Sequence, residues 1–248
     1  MKSIPVLGIP VLNRADLLKR CIDSIDYPVD RLVIINNGRE SDVREYLESI
    51  VERLSNLTVF TPQTNLGVAA SWNWVMRNHP EAPWWLHVAN DIKFTAGDLA
   101  KICDYVEAHP EEVVNPANHG HSLFAVKQSC LEVAGDFDEN FFPAYLEDSD
   151  HMYRISLAKA PWSDVPNVNA IHGEAPTWGS HTIYSSARYL KMNGLTHSNL
   201  FIYYRKKWGG QPGHEKFTHP FNNPEWPIQK WELDERLRAA NSCWDGNS

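Results

Sequence analysis

The stretch "PWWLHVANDIKF" (residues 83–94) decides the fold. It begins as a strand buried on both faces, because Trp84, Trp85, Leu86 and Val88 leave little polar surface for water. Asn90 and Asp91 then break the apolar run, and Ile92 and Phe94 resume it. A strand that is apolar on both sides belongs inside a parallel sheet covered by helices. Polar residues at its carboxyl end lie where such sheets gather ligands.

The flanking sequence alternates in the same way. Segments 4–11 ("IPVLGIPV"), 31–37 ("RLVIINN") and 57–62 ("LTVFTP") read as strands. Segments 14–25, 41–54, 67–78 and 95–109 carry helical apolar spacing, with Ser41 or Asp42 and Thr95 as candidate N-caps. Three successive strand ends turn polar, at Asn36 with Asn37, at Thr61 to Asn65, and at Asn90 with Asp91. The expected fold class is α/β, a mostly parallel, Rossmann-like sheet flanked by helices.

The second half is less regular. Residues 118–135 read as a strand and a short helix, 137–160 as a loop leading into a helix from about Leu146, and 163–180 as a strand ending at His172. Beyond Tyr184 an amphipathic helical stretch precedes "YYRKKWGGQPGHEKFTHPFNNPEWP" (203–227). That segment is too irregular for a core and too apolar for a disordered tail, so it reads as an irregular extension, a wrap or lid.

The 248 residues are 43% hydrophobic and 22% charged, which suits a globular chain with a sizeable core and excludes a disordered one. A net charge of −8 argues against a surface coated for non-specific nucleic-acid binding. Between Tyr184 and Asn222, however, Arg188, Lys191, Arg205, Lys206, Lys207 and Lys216 face Glu215 alone, a local basic segment suited to an anion or simply to solvent. The ten tryptophans are expected mainly in the core. Cys21, Cys103, Cys130 and Cys243 form no CxxC pair and read as reduced, mostly buried thiols. The N-terminal apolar run is short and broken by prolines, unlike a signal peptide, and nothing approaches the roughly 18 apolar residues of a membrane span. A cytoplasmic location is expected.

The first strand is followed by "GIPVLNRADL", which lacks both the GxGxxG of dinucleotide sites and the GxxxxGK[ST] of P-loops. "IPVLNRADLLKRCIDSI", "VIINNG", "NLGVAASWNWVM", "VANDI" and "FDENFFPAYLEDSDHMYR" instead occur in an order that resembles family-2-like glycosyltransferases of the GT-A fold, over roughly residues 4–175. The C-terminal segment more loosely resembles bacteriophage-encoded glycosyltransferases.

The resemblance implies an inverting hexosyl or pentosyl transferase acting on a nucleoside-diphosphate sugar, with a UDP-sugar favoured and Mn²⁺ or Mg²⁺ as cofactor. It implies a GT-A domain over 1–183, with a nucleotide-sugar half (1–117) and an acceptor half (118–183), followed by the extension 184–248. The acidic strand end Ala89-Asn90-Asp91 stands where such enzymes carry DxD. The first Asp is missing, which leaves Asp91 as metal ligand and Asn90 as a partner for ribose or sugar. His172 would complete the metal sphere. Pro10, Asn13 and Arg14 would begin the base pocket, Asn36 and Asn37 would meet the base, and Asn65, Gly67 and Asn73 would flank the nucleotide. As plain sequence features these are also ordinary turn and cap residues.

In "LEDSDHMYR" (146–154), Asp148 maps to the base that deprotonates the acceptor, with Glu147 and Asp150 holding acceptor hydroxyls or orienting that base. The same carboxylates suit a helix N-terminus, and Asp150 with Arg154 suits an i,i+4 ion pair. Arg205, Lys206 and Lys207 would close on the diphosphate or touch a phosphodiester acceptor, and His87 is expected as a satisfied core or supporting residue. Acceptors left open are a 5-hydroxymethylpyrimidine in phage DNA, a glycan or lipid-linked sugar, and a protein hydroxyl. The alternative is a nucleotide- or carbohydrate-binding module without turnover. The Gly/Arg/Lys-rich N-terminal loop of a nucleotidyltransferase is absent.

Overall fold

The computed structural model describes residues 2–118, 120–174, 177–178 and 181–245. The first half forms β1 (Ile4–Val11), α1 (Ala15–Asp23), β2 (Val29–Asn36), α2 (Ser41–Val51), β3 (Leu57–Phe60), α3 (Gly67–Asn78), β4 (Trp84–Val88), β5 (Ile92–Lys93) and α4 (Asp98–Ala108). The second half adds β6 (Val114–Pro116), β7 (Leu123–Lys127), α5 (Gln128–Val133), α6 (Glu147–Leu157), β8 (Ile171–Glu174), β9 (Thr177–Trp178), α7 (His181–Tyr184), α8 (Ala187–Trp208) and α9 (Glu235–Ala240).

Six strands make the central sheet in the order β3-β2-β1-β4-β7-β6. β3, β2, β1 and β4 run parallel, β7 pairs antiparallel to β4, and β6 antiparallel to β7. The mostly parallel sheet read from the sequence is therefore present, with an antiparallel edge. The chain lays β2 and β3 on one side of β1 and β4 on the other, so the gap outside the carboxyl ends of β1 and β4 is the topological switch point.

Alternation along each strand splits the core. Trp84, Leu86 and Val88 join Leu32, Ile34 and residues of α1, α2 and α4 in one cluster, while Trp85, Val33 and Ile35 join residues of α3, α5 and α6 in another. Each fully buried Leu, Ile or Val in these layers contributes about 2 kcal/mol. Trp72, Trp84, Trp85, Trp208 and Trp244 are buried, as a core role for tryptophan predicts. All four cysteines are free; Cys21, Cys103 and Cys130 are buried, and burial pushes the Cys21 and Cys130 thiols up to about 12.

Several boundaries differ from the sequence reading. β6 is an added short strand that pairs only with β7 in the sheet. α4 starts after Gly97 (φ 81), not at Thr95, and the Asp98 carboxylate accepts bonds from the Thr95 N–H and hydroxyl, both at 2.8 Å. Neither Ser41 nor Asp42 caps α2, whose N-cap position is Glu40. β8 begins at Ile171 instead of ending at His172, following a turn in which Asn167 takes φ 60.

The largest difference is at the C-terminus. "YYRKKW" continues α8, which runs 22 residues from an N-cap bond between Ser186 Oγ and Tyr189 N–H to a stop at Gly209 (φ 74). Leu200, Tyr203, Tyr204, Lys207 and Trp208 are buried at helical spacing. No described helix is long and apolar enough to cross a membrane.

Candidate active site

A cavity of about 450 Å³ opens at the switch point. β1 brings Pro10 to its wall, the turn after β4 brings Asn90 and Asp91, the start of α6 brings Glu147 and Asp148, and β8 brings His172. Asp91, Glu147 and Asp148 make it acidic, and no Lys or Arg lines it among the described residues.

Asp91 is 1% exposed. Its backbone is fixed first: Gly173 N–H and Arg20 Nη2 both donate to its carbonyl, at 3.0 and 2.8 Å. Asp91 Oδ2 accepts the His181 N–H at 3.0 Å, and Oδ1 lies 3.2 Å from His172 Nε2. The antiparallel pair β5–β8, with Ile92 opposite His172, delivers the imidazole. Among the described residues no cluster of three or more His, Cys, Asp or Glu could hold a metal. A carboxylate beside an imidazole nevertheless suits Mg²⁺ or Mn²⁺, which take few protein ligands and complete their shell with phosphate and water. Asp91 and His172 are the residues that would hold the ion.

α6, which also contributes to the lining, begins with an acidic turn. Asp148 is half-buried, and its Oδ1 accepts the Ser149 N–H at 2.6 Å, which leaves Oδ2 for a substrate proton. Glu147 is buried, and its Oε2 has no hydrogen-bond partner among the described residues. Burial, and then the Asp148 charge, hold the Glu147 pKa well above the usual carboxylate range. The raised pKa biases Glu147 toward its protonated form, which can donate a hydrogen bond.

Other predicted residues reach the cavity but are already committed. Asn37 donates to Ser71 Oγ at 2.8 Å and accepts the Leu66 N–H at 3.0 Å. Asn65 accepts the Gly67 N–H at 2.8 Å and donates to the Trp244 carbonyl at 3.3 Å. Asn90 donates to the Asn13 carbonyl at 3.1 Å. These amides shape the walls, and Gly67 permits the turn through a φ of 79.

Eight predicted site residues take other roles. Asn36 lines a separate cavity of about 440 Å³ beside α2, and its Oδ1 accepts the Gly38 N–H at 3.3 Å. Asn13 is buried and donates to Thr182 O and Ser185 Oγ, while Arg14 turns to Asp16 and Glu174 at 2.7 and 3.3 Å. Asn73 is fully buried, bonding Phe137 O at 2.8 Å and Phe137 N at 2.9 Å. Asp150 and Lys207 are fully buried against each other at 2.6 Å, so neither holds an acceptor or a diphosphate. Arg205 and Lys206 are exposed on α8, and Lys206 borders a different groove with Phe221 and Trp226.

His87 is buried as expected but unsatisfied: neither ring nitrogen has a hydrogen-bond partner among the described residues, and burial drives its pKa to about 3. It is a neutral aromatic spacer tilted against Trp72 and Phe124.

The sequence reading missed His121, Tyr145, Thr182 and Trp244, which also line the cavity. His121 sits in a 3₁₀ turn (Gly120–Ser122), and burial lowers its pKa against the opposing pull of Asp148. Trp244 returns from the far end of the chain, its indole N–H on Thr196 Oγ1 at 2.8 Å. Only the concentration of aromatics in the C-terminal segment hinted at such a wall.

Residues 7–128 match the family model described as Glycosyl transferase family 2. No curated protein sequence matches the chain. Among solved structures it is similar to the mannosyltransferase PcManGT from Pyrobaculum calidifontis in complex with GDP-Man and Mn²⁺, at 17% identity and a TM-score of 0.61, covering 82% of this chain and 65% of that one. It is also similar to S. aureus TarS (residues 1–349) in complex with UDP, at 15% identity and a TM-score of 0.56, covering 71% and 61%. A third is GalNAc-T7 with UDP, GalNAc and Mn²⁺, at 10% identity and a TM-score of 0.60, covering 83% and 51%. The chain thus spans less than two thirds of the length of these structures. At such identities the likeness shows the fold, a GT-A arrangement.

Proposed function

We propose that this chain, with a family-2-like glycosyltransferase domain at residues 7–128, moves a sugar from a nucleoside-diphosphate sugar to an acceptor hydroxyl with inversion at the anomeric carbon. The observation that carries this reading is the cavity at the β1/β4 switch point, whose lining brings together the Asp91–His172 pair and the Glu147–Asp148 pair. One pair suits a leaving diphosphate and the other an attacking hydroxyl. Asp148 takes the proton as the acceptor oxygen bonds to the anomeric carbon and the bond to the diphosphate breaks. Glu147, neutral, donates to a sugar or acceptor oxygen. A divalent cation, when bound, neutralises the charge growing on the diphosphate, a role for which the described lining offers no Lys or Arg.

The same charge pattern favours an uncharged acceptor such as a glycan over a phosphodiester. A DNA acceptor needs a basic groove at the site, and the cations expected to form one are spent elsewhere: Lys207 inside the protein, Arg205 and Lys206 on an outer face. Solved structures of this fold carry UDP, UDP-GlcNAc or GDP-Man, so UDP remains the first donor nucleotide to try, with GDP beside it.

The test is release of nucleoside diphosphate from UDP-, GDP- and TDP-sugars with Mn²⁺, Mg²⁺ or chelator, with oligosaccharides or hydroxymethylated DNA added. Metal-dependent release stimulated by oligosaccharide is expected. Binding of a nucleotide sugar with no release from any donor would favour the silent binding module instead.

A further inference from the structure

We propose that Lys207 on α8 is a positioning residue for the transfer step. It holds the first turn of α6, and with it the Asp148 carboxylate, by gripping Asp150 from outside that helix. The proposal rests on the reading of Asp148 as the base.

α6 is not held by its own start. Tyr145 (φ 82) and Leu146 (φ 70) both enter it in the left-handed region that side chains bearing a Cβ disfavour, and no side-chain cap follows. Such a conformation persists only where the surroundings impose it. Here α8 does so in two ways. Leu200, Tyr203, Tyr204 and Trp208 form one apolar cluster with Phe141 and Leu146. Beneath that cluster Lys207 Nζ lies 2.6 Å from Asp150 Oδ1 and 2.7 Å from Asp138 Oδ2, with all three side chains fully buried.

Trp208 Nε1 donates to the same Asp150 oxygen at 2.7 Å, and Arg154 Nε donates to the other at 2.9 Å. Two carboxylates thus meet two cations, and the group is neutral as a whole. A buried ion pair of this kind adds little net stability over an apolar replacement, but it admits few geometries. Asp150 lies two residues beyond Asp148 on one rigid turn, so what fixes one carboxylate fixes the direction of the other. α8, outside the 7–128 match, is by this account part of the active site without touching substrate.

Lys207→Met alone would leave two carboxylates facing Arg154 and is expected to unfold the chain, so the test is the charge-balanced Lys207→Met/Asp138→Asn variant. Its donor hydrolysis or transfer would be measured with UDP-N-acetylglucosamine and GDP-mannose plus Mn²⁺, and amide hydrogen exchange would be followed by mass spectrometry. Expected is a kcat about 10- to 100-fold lower at unchanged donor KM, with faster exchange confined to the first turn of α6. Unchanged kcat would overturn the proposal. So would a joint loss of kcat and donor affinity with faster exchange across the central sheet, which marks a merely structural residue. Should the unaltered protein turn over neither donor, the transferase reading is what fails, and exchange in α6 alone decides: faster exchange there upholds the positioning, and no change overturns it.

Discussion

His172 Nε2 stands 3.2 Å from Asp91 Oδ1, joining the end of β4 to β8 across the β5–β8 pair. The contact brings a hard oxygen and a borderline nitrogen together on the wall of a cavity that has no Lys or Arg among its described lining. Asp91→Asn keeps the shape and removes the charge. Turnover should fall about 100-fold, as loss of several kcal/mol of charge stabilisation requires. Mn²⁺ affinity in the presence of nucleoside diphosphate, read by electron paramagnetic resonance, should weaken in parallel. Undiminished Mn²⁺ binding would remove Asp91 from the metal site.

Asp148 lines the cavity, and its Oδ1 accepts the Ser149 N–H. Asp148→Asn should lower kcat by about 10²- to 10⁴-fold, the range for losing a general base. Nucleotide-sugar affinity, measured by calorimetry, should stay as it was. Near-normal transfer in this variant would send the base assignment elsewhere.

Glu147 gives a prediction about pH. Its pKa is raised in the folded protein, chiefly by burial and then by Asp148. The folded state therefore keeps a proton that the unfolded chain releases above an ordinary Glu pKa of about 4.3. Where the folded state binds more protons, stability falls as pH rises, from that value up to the raised pKa. Glu147→Gln, neutral at every pH, escapes the loss. Its melting temperature should match the original protein's near pH 4 and exceed it increasingly toward pH 8. A constant difference across that range would mean Glu147 ionises normally.

How much of this was legible in the sequence depends on whether a residue's role is local. The parallel strands announced themselves because a covered sheet needs strands apolar on both faces, as with Trp84 on one face of β4 and Trp85 on the other. Asp91 stood out because a carboxylate at the end of a buried strand is unusual, and it does line the cavity. Lys207 was misplaced because its partners Asp138 and Asp150 lie far back in the chain, and a cation beside two others reads as surface. Its position on the stripe Leu200, Tyr203, Tyr204, Trp208 was the available signal. Asn73 likewise looked like a ligand residue from its neighbours, although its amide serves Phe137, sixty-four residues away. Trp244 could not be placed because a wall supplied by the chain's far end has no local pattern.

Asn73 can be tested by the split between stability and binding. It is fully buried, and its amide meets both the carbonyl and the N–H of Phe137 and the Glu139 carboxylate at 2.9 Å. Asn73→Ala strands those backbone groups and should cost about 2–4 kcal/mol, seen in urea unfolding. Donor affinity of the folded fraction should hold. Lost affinity without lost stability would restore Asn73 to the donor site.

Gly67 is where backbone conformation and site shape coincide. It takes φ 79 at the start of α3, and a Cβ there would lie 2.8 Å from the Pro143 carbonyl oxygen and 2.9 Å from the Phe142 ring. The approach is that close because Val68 N–H donates to the same carbonyl at 2.7 Å, tying the α3 turn to the segment that leads into α6. Gly67→Ala therefore meets both a disfavoured φ and a backbone oxygen that has little room to retreat. The combined cost should be about 2–3 kcal/mol, which for a chain of this size lowers the melting temperature by about 5–10 °C. Because Asn65, Gly67 and Pro143 share the cavity wall, nucleotide-sugar affinity should fall as well. Calorimetric unfolding and donor titration of the same variant check both parts, and an unshifted melting temperature would show that the two segments do not meet as closely as this carbonyl bond requires.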